Sequence, residues 1–201
     1  MKKFISISPH QPPTRFEKGI YENVDNEKLN FDTMTSFPIM PVINGYTVDG
    51  EEIEVITVVS DYGNAEENYK TLIEEINALA VKKNLKVTFK KISIPYSQDI
   101  DTQLEMFSKL IDCMADEDKL FCDISFGTKV MSQILTMTLN YGYRIKNNVS
   151  LGCIVYGGKN FTNNRLEIYD ITSLNYMDEI VRVMAENQIA NPAERIKEML
   201  K

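Results

Sequence analysis

The sequence predicts an α/β fold: a mainly parallel sheet flanked by helices, with a C-terminal β-hairpin and a helical tail. Three observations predict it. Short apolar runs such as Val55-Ile-Thr-Val-Val59 lack polar alternation, as parallel strands buried on both faces do. These runs alternate with segments of helical period, for instance Tyr69, Leu72, Ile73, Ile76 and Leu79. Proline, glycine and asparagine fall between the two kinds of segment, where turns are needed.

The elements follow in order. Lys3 to Ser8 forms the first strand on Phe4, Ile5 and Ile7, and Pro9 stops it. Residues Pro12 to Asp49 are poorly periodic and contain Pro12, Pro13, Pro38 and Pro41. They read as a long excursion with an extended piece at Phe37 to Ile43 and a turn at Val48-Asp49-Gly50. Glu54 to Ser60 is the second strand, Asp61-Tyr-Gly-Asn64 a turn, and Ala65 to Lys83 a helix. The third strand spans Lys86 to Ile94 and is closed by Pro95. After Tyr96-Ser-Gln-Asp99, a helix from Asp101 to Met114 is expected to bury Leu104, Phe107, Leu110 and Ile111.

The fourth strand, Leu120 to Ile124 with Asp123 inside it, stops at Ser125-Phe126-Gly127-Thr128-Lys129. A helix follows, with Val130, Ile134, Met137, Thr138 and Tyr141 at helical spacing. Val149 to Tyr156 is the fifth strand and ends in Gly157-Gly158. Asn163-Asn164 turns into an antiparallel return strand, Leu166 to Ile171. A helix over Ser173 to Gln188 and a short one from Pro192 to Leu200 complete the chain, so residues 174–201 form a helical extension.

With 201 residues and 43% hydrophobic content, the chain can bury one good core. Cys113, Cys122 and Cys153 show no CxxC spacing, and the apolar part of Met1 to Ser8 is too short for a signal sequence. No run approaches the ~20 apolar residues of a membrane span. A reducing cytoplasm is the expected location. The net charge of −7, from 22 basic and 29 acidic residues, disfavours binding to long nucleic acids. It leaves room for a small anion held by local N–H groups and a lysine.

The most informative segment is the turn after the fourth strand. Free backbone N–H groups and the positive dipole end of a helix attract anions, and Thr128 and Lys129 would sharpen that for phosphate. The plain alternative is an ordinary strand-to-helix turn with a capping Thr128 and a solvated Lys129. In an open parallel sheet, ligands bind outside the carboxyl ends of the strands at the switch in strand order. That mouth collects Ser8-Pro9-His10-Gln11, Asp61 to Asn64, Tyr96-Ser97 and Gly127 to Lys129. Each has a simpler reading. Ser8-Pro9 ends a strand, Asp61 is a turn residue, Tyr96 is a packed aromatic, and the lone His10 is a solvated loop residue.

Asp123-Ile-Ser-Phe-Gly-Thr-Lys-Val-Met131 resembles the strand–turn–helix signature of CARF domains, the Rossmann-like sensors of type III CRISPR systems. Many of these carry (Asp or Asn)-(Ile or Leu)-Thr-x-Gly-Thr-Lys before an apolar helix. Ser125 replaces the usual threonine here, and Phe126 stands where glycine or histidine is commoner. The likeness spans about Met1 to Ser173, is specific at this motif, and elsewhere rests on element order. It implies a CARF-like ligand-binding domain over residues 1–173 that binds cyclic oligoadenylate, with cyclic tetra-adenylate the expected ring. Ligand contacts would come from the loops after the first and fourth strands. Ser8, Pro9, His10, Gln11, Asp61, Tyr96, Ser125, Phe126, Gly127, Thr128 and Lys129 are the candidate binding residues.

The resemblance further implies a homodimer with the ring across the twofold axis, and an effector domain either fused or separate. The HEPN RNase pattern is missing, because His10 is the sole histidine and no arginine precedes it. The tail after Ser173 is short for another effector. One alternative is a metal-independent ring nuclease, in which the ribose 2′-OH attacks its own phosphate with Lys129 and Ser8 as the catalytic groups. Another is a flavodoxin-like adaptor without this ligand. No GxxxxGK[ST], GxGxxG, GxSxG or zinc-ligand spacing occurs, so no cofactor or metal is expected.

Overall fold

The computed structural model describes residues 1–12, 15 and 17–199. Five strands run parallel: β1 (Lys2–Ile7), β3 (Glu52–Ser60), β4 (Lys86–Ile94), β5 (Lys119–Asp123) and β6 (Ser150–Asn160). β7 (Arg165–Asp170) returns antiparallel to β6, and a two-residue β2 (Glu22–Asn23) adds to its outer edge. The sheet order is β2-β7-β6-β5-β1-β3-β4. Six helices flank it among the described residues: α1 (Ile39–Tyr46), α2 (Ala65–Lys83), α3 (Ile100–Ile111), α4 (Lys129–Ile145), α5 (Thr172–Glu186) and α6 (Pro192–Met199). This is a Rossmann-like α/β fold, and none of its described helices is long and apolar enough to cross a membrane.

Strand alternation divides the core into two layers. Ile5, Ile7, Ile56 and Val58 face α3 and α4, where Met106, Leu110, Ile134, Leu135 and Leu139 cover them. Phe4, Ile53, Val55 and Phe121 face α1 and α2 and meet Ile39, Ile43, Leu72 and Ile76. Phe4 and Phe121 stack across the β1–β5 pair at 4.6 Å. The edge strand β4 is largely exposed and carries Lys86, Lys90 and Lys91, charges that blunt an open edge.

Several boundaries and faces differ from the sequence reading. The expected extended piece at Phe37 to Ile43 is the start of α1. Pro38 occupies its N-cap and Pro41 its first turn, where a missing N–H breaks no intrahelical bond, so the prolines start a helix instead of barring one. Leu104, expected in the core, is 58% exposed, while Leu110 is buried as expected; α3 turns Thr102 and Met106 inward beside it. Met137 on α4 is likewise exposed, and Met131, Leu135 and Leu139 take the inner positions. Gly157-Gly158 does not end β6. The strand runs on to Asn160, because Gly157 lets the chain pass where a Cβ would lie 2.5 Å from the Pro38 ring. Pro13 and Leu200, named in the sequence reading, lie outside the described residues. The last helix is described to Met199.

α5 packs beside β6 and meets α4 through polar contacts and the edge-on Tyr143–Tyr176 pair. Arg144 pairs with Asp178 and Glu179, and Asn140 accepts a 2.9 Å bond from Asn175, the one buried residue of α5.

Candidate functional site

The chain order β1, β3, β4 runs outward to one edge, and the chain then returns to place β5 and β6 on the other side of β1. The switch in direction therefore falls between β1 and β5, where the loops at the carboxyl ends diverge and leave a crevice. Gly127 takes φ +89°, a conformation open to glycine. An ideal Cβ there would sit 2.9 Å from Ile7 Cγ2, so the turn after β5 rests directly on the end of β1.

Asp123, the last residue of β5, builds this turn from below. Its Oδ1 accepts the Ser125 N–H at 2.9 Å and also the Ser125 hydroxyl; that hydroxyl in turn accepts the Gly157 N–H at 2.7 Å. The carboxyl is buried, and no described residue hydrogen-bonds its Oδ2 at normal distance. Burial pushes its pKa up to about 6, against the lowering effect of the Ser125 hydroxyl and of backbone N–H groups. Phe126 is half-buried beside the turn.

Thr128 caps α4, with its hydroxyl accepting the Met131 N–H at 3.3 Å. Lys129 opens the helix and is exposed, and no acidic residue stands in the first turn. A lysine there opposes the helix dipole, and a carboxylate would normally be favoured. The local rule is broken where a bound anion would restore the balance.

The 8–11 loop lies against the same crevice, but its polar groups are largely committed inward. Ser8 is fully buried; its N–H reaches Val58 O at 2.9 Å and its hydroxyl donates to Ala65 O at 2.6 Å. That bond ties Ser8 to the start of α2 and leaves it as a structural residue of the loop. Asn68, 1% exposed, donates to Pro9 O at 2.8 Å and Gln11 O at 2.9 Å and so fixes the loop from beneath. Sequence reasoning missed Asn68. Its signal was a polar residue on the inner stripe of α2, one turn after Ala65 and one before Leu72.

Two more groups close on His10. Its Nε2 is 2.8 Å from Ser60 Oγ, and its carbonyl accepts the Asn64 N–H at 3.1 Å. Burial lowers its pKa below the ordinary histidine value, which keeps the ring neutral near pH 7. Asp61 Oδ1 accepts the Tyr96 N–H at 2.6 Å, which joins the loops after β3 and β4. Tyr62, which the sequence placed in the mouth only as part of the Asp61 to Asn64 turn, stacks on Tyr96 at 3.9 Å.

The structure thus brings His10, Asp61 and Tyr96 into one cluster, and Ser125, Gly127, Thr128 and Lys129 into a second, both at the carboxyl end of the sheet. Gln11 is exposed, and Pro9 meets this cluster through the carbonyl bound by Asn68. Among the described residues, no group of three or more His, Cys, Asp or Glu side chains could hold a metal ion. The second cluster offers N–H groups and an ammonium for phosphate; the first offers flat aromatic faces. The chain matches no protein-family model and no curated protein.

Proposed function

We propose that this protein is a CARF-like sensor that binds cyclic oligoadenylate, with the four-membered ring the expected ligand, and that it acts as a homodimer. One observation carries the reading. The Gly127-Thr128-Lys129 turn, on which the sequence resemblance rests, lies at the switch point of the sheet beside the β1 loop, with the uncompensated N-terminus of α4 behind it. Each subunit would supply one such anion site, and a ring of phosphates across a twofold axis would engage both. A binding role is favoured over ring cleavage because the Ser8 hydroxyl, one of the two groups a ribose-attack mechanism would use, is committed to Ala65 O.

Calorimetric titration with cyclic tri-, tetra- and hexa-adenylate tests this. Lys129→Ala should weaken binding at least tenfold with the fold intact, since a charge-assisted contact contributes about 1.5–3 kcal/mol. Light scattering should give a dimer, twice the 23.1 kDa subunit. An unchanged dissociation constant would remove Lys129 from the site, and a monomer both with and without the ring would end the shared-pocket model.

A further inference from the structure

We propose that Tyr62, Tyr96 and His10 form a preorganised platform on which a purine base of the ligand stacks. The proposal rests on the reading above and adds the part of the ligand that the phosphate site cannot recognise.

The geometry is that of a built surface. The Tyr62 and Tyr96 rings are 3.9 Å apart and within 12° of parallel. His10 stands edge-on to both, at 5.8 Å and 87° from Tyr62 and at 5.3 Å and 89° from Tyr96. Both tyrosines nevertheless remain open to solvent, at 51% and 42%. Two large rings packed on each other and left half-exposed offer an unfilled aromatic face.

The rings are also held before any ligand arrives. Asp61 fixes the Tyr96 backbone, Ser60 fixes the His10 ring, and Asn64 and Asn68 fix the backbone on either side of His10. Gly63 is needed for the closest approach. Its φ is +59°, and a Cβ there would lie 2.4 Å from His10 O. A platform already immobilised pays little ordering entropy on binding.

Its position matches the phosphate site. β5, which precedes Lys129, and β3, which precedes Tyr62, are separated only by β1. At about 4.8 Å per strand the ends of β5 and β3 are roughly 10 Å apart, and that of β4, which precedes Tyr96, roughly 14 Å from β5, spans that a ring of nucleotides covers. The stacked tyrosines touch each other, so they leave no box for a cation between them. What they present outward is a flat π-face, and base–aromatic stacking is the interaction that face supports.

The chain has no tryptophan, so Tyr96→Trp introduces a single indole reporter. Titration of that variant with cyclic tetra-adenylate should change its fluorescence as the base stacks. In calorimetry, Tyr62→Ala and Tyr96→Ala should each weaken binding about 5- to 100-fold. Tyr96→Phe, which keeps the ring, should stay within about twofold of wild type, and melting temperatures should confirm that all variants fold. If wild type binds the ring with Lys129 dependence while both alanine variants bind as wild type, the platform is refuted and the phosphate site stands. If wild type binds no cyclic oligoadenylate, the sensor reading and the platform fall together.

Discussion

Replacing Gly127 by alanine tests whether the turn after β5 is seated on β1 as described. Two costs are expected. The first is conformational: φ +89° disfavours any residue with a Cβ, by about 1–2 kcal/mol. The second is steric. The new methyl would lie 2.9 Å from Ile7 Cγ2, 3.0 Å from Ile7 Cδ1 and 3.3 Å from Met131 Sδ. Ile7 is 2% exposed, and its Cγ2 is attached directly to a β-branched carbon with little rotamer freedom, so it cannot simply swing away. Overpacking of that kind costs about 1–3 kcal/mol. The sum, about 2–5 kcal/mol, corresponds to a fall in melting temperature of roughly 4–20 °C for a domain of this size.

Gly50→Ala is the matched control, since Gly50 has φ +80° and nothing within 4 Å of its would-be Cβ. It should show the conformational cost alone. Urea unfolding of both variants at pH 7.5 gives the difference, expected at about 1–3 kcal/mol. Equal losses in the two variants would mean that Ile7 does not support the turn, and the account of how Thr128 and Lys129 are positioned would fail with it.

Two further outcomes follow from buried charges. Because burial raises the Asp123 pKa to about 6, the folded state binds this proton more tightly than the unfolded chain does. Its contribution to stability is therefore present at low pH and is lost as pH rises from about 4 through 6, by on the order of 3 kcal/mol. Asp123→Asn should remove that slope, so relative to wild type the variant gains stability between pH 4.5 and 7.5 in urea unfolding. A relative loss over the same interval would show that the carboxylate is favoured in its charged form. Asp118, 2% exposed, lies 3.0 Å from Lys3 Nζ, which also contacts Glu54 Oε2 at 3.3 Å and the Cys113 carbonyl. Asp118→Ala should destabilise by about 3 kcal/mol by leaving Lys3 incompletely paired, and adding Lys3→Met should recover most of the loss. No recovery in the double variant would place the role of Asp118 in its 2.7 Å bond to the Ala115 N–H.

The element order was legible because it is written locally. Continuous apolar runs such as Val55 to Val59, the stripe from Tyr69 to Leu79, and the glycine before Thr128 each act over a few residues, and each sits where the periodicity placed it. The mouth of the sheet was legible for the same reason, since a parallel sheet brings every strand-to-helix loop to one end. Which side chains face that mouth was not. The Ser8 hydroxyl turns inward to Ala65 O; Asn68 signalled only a polar residue on an inner stripe, and its role depends on partners 50 or more residues away, as that of Tyr62 depends on Tyr96.

α3 states the limit most clearly. Its sequence offers two apolar stripes, Ile100-Leu104-Phe107-Ile111 and Thr102-Met106-Leu110-Cys113, and periodicity supports either. The sheet covers the second, leaving Ile100 and Leu104 in solvent. Periodicity specifies that a helix has faces, but burial needs a second surface, and only the tertiary structure decides which face receives one.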